Sequence, residues 1–148
     1  MLTVKNEPGL SRYLCQSRDT DEAAWRLLEK AEIHLIPSVN PDGAEANTRH
    51  NTRLTDLNRQ FPGWREVGRP HNDLLRGRDK EVKAMMSWIQ SNNFVISISF
   101  HDGQVLINYP WDDSPTAVEG EKSLCCDDDV FKHLSMLYAE NHPFMWTG

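Results

Sequence analysis

The segment TDLNRQFPGW, residues 55–64, sets an acid, an amide and a guanidinium at Asp56, Asn58 and Arg59, just ahead of a Phe-Pro break. Arg59 carries a planar fork that meets a carboxylate through two hydrogen bonds, and Asn58 can donate to the same oxygens. The pair suits recognition of a chain-terminal carboxylate. Arg49 lies upstream in the same loop-like region, where a second guanidinium could stabilise negative charge developing on an attacked carbonyl oxygen. By spacing alone, the alternative is solvated loop arginines with weak surface ion pairs. His101 is a candidate of another kind, because it follows the apolar run FVISISF and opens the turn-like HDG. An imidazole at the tip of a buried strand serves as a metal ligand, as a base, or as a hydrogen-bonded rim residue.

These groups need elements to position them, and helical and strand periods alternate along the chain. TDEAAWRLLEKA has Thr20 as an N-cap candidate and places Ala24, Leu27, Leu28 and Ala31 on one helical face. EIHLIPSV reads as a short strand ending at NPDG, four turn formers. RDKEVKAMMSWIQSN predicts a second helix with Val82, Met85, Met86 and Ile89 on its apolar face. FVISISF then reads as a strand covered on both sides, and VLINYP as a third strand. DDDVFKHLSMLYAENH predicts a third helix with acids at its N-terminus and Val130, Phe131, Leu134, Leu137 and Tyr138 on one face. Two helix-then-strand units in succession predict an α/β domain with a mixed, mostly parallel sheet and flanking helices. Residues 39–79 show no strong period, and a loop of that length inside a domain is usually functional.

Length and composition bound the reading. The 148 residues fit one domain, and 39% hydrophobic with 26% charged residues is the balance of a folded chain. A net charge of -6 argues against a general nucleic-acid binder. Residues 49–80 reverse that sign, with eight Lys or Arg against four acids, which suits an anionic or carboxylate ligand. Cys15, Cys125 and Cys126 make an odd count from which no disulfide framework follows. No run of eighteen apolar residues predicts a membrane span, and MLTVKNEPGLSRYLC has neither the charged lead nor the apolar core of a signal peptide.

Four blocks, AEIHLIPSVNPDGAE, TDLNRQFPGW, DKEVKAMMSWIQSNNFVISISFHDGQVLINYPWD and DDDVFKHLSMLYAENHPFM, resemble in order the zinc metallocarboxypeptidases, specifically the N/E branch that includes carboxypeptidases E, M, N and D. The resemblance implies a partial peptidase domain over residues 1–148, truncated at both ends, with a divergent N-terminal segment over 1–12. It implies that Asn58 and Arg59 hold the substrate's terminal carboxylate, that Arg49 polarises the scissile carbonyl, and that Asp56 orients a zinc-bound histidine. His101 matches a zinc ligand, although the family's LHGG here reads FHDG. Glu7 stands at the position of the glutamate ligand, while Val4, which cannot bind zinc, stands at that of the first histidine. His34, His50, His71, His133 and His142 are weaker candidates for a substitute ligand.

For the intact form the resemblance implies zinc-dependent release of a C-terminal residue, basic by analogy with the branch. The family's water-activating glutamate has no counterpart in the 148 residues, so this chain alone is expected to be inactive. The alternative function is a fragment that only binds peptide C-termini or a partner. An extracellular or membrane-associated setting is implied by the resemblance only.

Overall fold

The computed structural model describes residues 9–101, 103–112 and 121–147. Among them run six α-helices: α1 (Gly9–Ser17), α2 (Glu22–Lys30), α3 (Pro41–Ala46), α4 (His71–Leu74), α5 (Lys80–Ser91) and α6 (Asp128–Ala139). Single 3-10 turns add Leu57–Arg59, Trp64–Glu66 and Met145–Thr147. The chain divides into two compact units, one within Met1–Phe61 and Gly77–Asp102, the other within Pro62–Arg76 and Gly103–Gly148.

In the first unit α1 packs on α2, with Leu14 and Ala24 buried. The cap of α2 is Asp21, one residue beyond the expected Thr20. Its Oδ1 accepts from the Ala23 and Ala24 amides at 2.8 and 3.4 Å, and its Oδ2 from the Tyr13 hydroxyl at 2.8 Å. A carboxylate has two oxygens for these donors and a charge that favours a helix N-terminus, so it outcompetes the neighbouring hydroxyl. NPDG is a helix start rather than a plain turn. Asn40 accepts from the Gly43 amide at 3.0 Å, and Pro41 occupies the first turn of α3, where its missing N–H costs nothing.

Helix α5 follows Asp79 and ends before Asn92, whose side chain donates to the Trp88 carbonyl at 2.7 Å. Val82 and Met86, one turn apart, are buried, while Ile89 of the same expected face is half exposed. Beyond the helix Phe94 meets Trp88 at a ring separation of 4.6 Å and His34 edge-on at 5.0 Å. Leu57 and Val39 complete the buried apolar set of this unit.

In the second unit α6 begins, as expected, with acids in its first turn. Asp128 pairs with Lys132 at 2.5 Å across one turn. Phe131 lies parallel to Tyr109 at 6.2 Å between ring centroids. Val130, Leu134, Leu137 and Tyr138 remain exposed, so the expected face of this helix is largely uncovered among the described residues.

The expected mixed sheet is not formed among the described residues, where no strand occurs. EIHLIPSV, FVISISF and VLINYP run without regular secondary structure. Val95 is 99% exposed and Ile98 67%, so FVISISF is not the doubly covered strand that its composition predicts. A strand exists only through hydrogen bonds to a neighbour, and an apolar run has no means of supplying that neighbour itself. The expected apolar helix faces are accordingly only partly covered, with Leu27 and Leu28 of α2, Ile89 of α5 and Leu134 and Leu137 of α6 exposed.

Candidate functional site

The chain around Arg49, Asp56, Asn58 and Arg59 folds as a tight excursion in the first unit, anchored on α3 before it and α5 after it. Asn40, 5% exposed, caps α3 with its oxygen and donates its amide to the Arg49 carbonyl at 3.2 Å. Gly43 permits this approach, since a Cβ there would sit 2.7 Å from the His50 carbonyl oxygen. At the other end Leu57, 2% exposed, fixes the 3-10 turn that carries Asn58 and Arg59.

Asp56 is the centre of the cluster. Its Oδ2 accepts from Arg49 Nε at 2.6 Å, and its Oδ1 accepts from the Asn58 backbone amide at 3.0 Å, capping the 3-10 turn. Partial burial works against the carboxylate's charge. The Arg49 hydrogen bond, the Asn58 amide and the charges of Arg49 and Arg59 outweigh it, holding the Asp56 carboxyl below its usual range. The structure thus brings Arg49, Asp56, Asn58 and Arg59 together as one electrostatic unit. Arg59 is exposed, and the Arg49 side chain keeps 38% of its surface in solvent despite the ion pair.

The zinc-ligand candidates are not gathered in the same way. Glu7 and Val4 lie outside the described residues, as do residues 1–8 of the divergent 1–12 segment. His101 is exposed at the end of FVISISF, where no strand forms to hold it. Among the described residues no three His, Cys, Asp or Glu side chains converge as a metal site. A catalytic zinc normally takes three protein ligands and a water, so the described residues do not fit one. His34 makes a 2.9 Å contact with Glu32 and rings with Trp88 and Phe94, and the His142 ring nitrogen accepts from the Phe144 and Met145 amides. Both have structural occupations.

Sequence spacing missed the groups that hold the cluster from behind. Asn51 and Asp79, 4% and 2% exposed, meet at 3.0 Å across 28 residues of chain. That distance along the chain hides any local signal. Asn40 and Gly43 were legible only as turn formers.

A family model described as "Zinc carboxypeptidase" matches residues 9–148. Human carboxypeptidase D is 40% identical to this chain over 88% of it and 10% of the relative. Mouse carboxypeptidase M is 36% identical over 92% of this chain and 32% of the relative, and the rat carboxypeptidase N catalytic chain 32% identical over 94% and 37%. The chain thus spans between a tenth and about two fifths of the length of these relatives. No solved structure matches it. The family match implies an α/β carboxypeptidase fold, of which the described residues form helices without strands. With a family model covering nearly the whole chain, and relatives named carboxypeptidases D, M and N aligned over most of it, this chain belongs to the zinc carboxypeptidase family, in its N/E branch.

Proposed function

We propose that this chain is the carboxylate-binding part of a metallocarboxypeptidase domain, in which Asn58 and Arg59 receive the terminal carboxylate of a peptide and Arg49 faces the adjacent carbonyl. The observation that carries the reading is the convergence of Arg49, the Asn58 backbone N–H and the charge of Arg59 on Asp56. One carboxylate against two guanidiniums leaves a net positive site. A second carboxylate, brought by a ligand, restores the balance, and the exposed Arg59 fork can take it through two charge-assisted hydrogen bonds. The ion pair of Arg49 with Asp56 supports a role for Arg49 in polarising the adjacent carbonyl.

The reaction of the intact domain is release of a C-terminal residue, basic by analogy with the branch, in an extracellular or membrane-associated setting. Zinc is the family's cofactor, and His101 is the described residue that the family resemblance would assign to it. Binding of peptide C-termini without hydrolysis is the second reading, favoured by Val4, which cannot bind zinc, at the position of the family's first histidine ligand.

The test is binding of a fluorescently labelled tripeptide ending in Arg, prepared as the free acid and as the C-terminal amide. The free acid is expected to bind more tightly by at least about tenfold, as loss of a charge-assisted bidentate pair would cost. Arg59→Ala is expected to erase the difference. Equal binding of acid and amide by the unaltered chain would refute the clamp.

A further inference from the structure

We propose that Asn51 is a positioning residue for this clamp, a buried amide that bolts the Arg49–Arg59 segment to the start of α5. The inference rests on the carboxylate-binding reading above and extends it to groups that touch no ligand.

All the hydrogen-bonding capacity of the Asn51 side chain is used inside the protein. Its Oδ1 accepts from the Arg53 and Thr55 amides at 3.0 and 3.1 Å, and its Nδ2 donates to Asp79 Oδ2 at 3.0 Å and Glu81 Oε1 at 3.3 Å. The Asn51 backbone closes the same loop, donating to the Thr55 carbonyl at 3.0 Å and accepting from the Leu54 amide at 2.9 Å. Leu54 takes a left-handed backbone, φ 59°, with its side chain in solvent. A leucine holds that conformation only where its surroundings over-determine it, and the Asn51 bonds on either side do so.

The loop is held from outside as well. Arg53 Nη1 pairs with Asp79 Oδ1 at 2.9 Å. Gln60, the residue after Arg59, accepts the Asp79 amide on its side-chain oxygen at 2.7 Å and Arg78 Nε on its carbonyl at 2.6 Å. Both flanks of the clamp are therefore fastened to residues 78 and 79, and the Asn51 side chain reaches Asp79 and Glu81 together. No other amino acid of this size supplies two acceptor sites and two donors at once. Aspartate in its place would keep the shape but turn a donor into a third carboxylate facing Asp79 and Glu81.

Asn51→Asp is expected to lower the acid-over-amide preference for the labelled Arg tripeptide by about tenfold or more, the scale of a buried donor lost against a charge, while weak binding of the amide is unchanged. A purely structural role would instead reduce both ligands alike. The double variant Asn51→Asp, Asp79→Asn restores a donor–acceptor pair at Asp79 while leaving the carboxylate at 51 against Glu81, and is expected to return part of the preference. Should the single variant fail to fold by far-UV circular dichroism, Asn51→Ser decides, since it removes the donors to Asp79 and Glu81 without adding a charge, with a smaller loss of preference in the same direction. A folded Asn51→Asp, or failing that Asn51→Ser, with the full preference of the unaltered chain overturns the role of Asn51 and leaves the clamp standing. No preference in the unaltered chain removes both.

Discussion

Asp56 sits where three demands meet: it steadies Arg49, caps the turn of Asn58 and feels the charge of Arg59. Its carboxyl titrates below the ordinary value in the folded chain, near 3.9 for an unfolded aspartate. A group depressed in this way contributes stability that is complete above the unfolded value and is lost as pH falls through the folded one. Asp56→Asn should therefore be less stable than the unaltered chain at neutral pH, with the gap narrowing as pH drops below about 4. Urea midpoints measured across that range check it, and a gap independent of pH would exclude the ion pair as the cause. At this scale the sequence was informative. Residue types suggested Asn58 and Arg59 as donors to a carboxylate and Arg49 as a second guanidinium, whereas the role of Asp56 came only from the family resemblance. That Asp56 would turn to Arg49 was not legible, since orientation depends on which donor the backbone brings nearest.

Helices were read well where capping and periodicity agree. The expected second and third helices correspond to α5 and α6, and the first to α2 with its cap moved from Thr20 to Asp21. Short pieces such as α3 and α4 escaped notice because six or four residues carry no usable period. Periodicity also overstates burial, as α5 shows. Val82 is wholly buried and Ile89 on the same stripe is half exposed. Val82→Ala is expected to destabilise the chain by about 2 kcal/mol, two methyl groups' worth of burial plus a small cavity term, whereas Ile89→Ala should cost less than about 1 kcal/mol. Thermal or urea unfolding of the two variants compares them directly, and equal losses would mean that Ile89 is covered in solution.

Across the whole chain, the apolar runs that were expected to form a sheet carry the largest discrepancy. Val95, Ile96, Ile98 and Phe100 are all exposed within seven residues, as are Leu35, Ile36, Val105 and Leu106 elsewhere. Segments of this kind, apolar, β-prone and uncharged, drive self-association. Val95→Lys with Ile98→Lys is expected to reduce concentration-dependent association in light scattering or sedimentation, with the helical far-UV signal retained. Unchanged association would place the sticky surface elsewhere. By itself the sequence determined the family, the helices α2, α5 and α6 and the polar set at residues 49–59, because motif order, caps and residue chemistry are local properties. Only the tertiary structure decided that Arg49 and Asn58 are joined through Asp56, that Asn51 fastens their loop to Asp79, and that FVISISF lies uncovered. Each of those depends on which distant groups come within hydrogen-bonding or packing reach, and a strand, unlike a helix, draws all of its backbone partners from elsewhere in the chain.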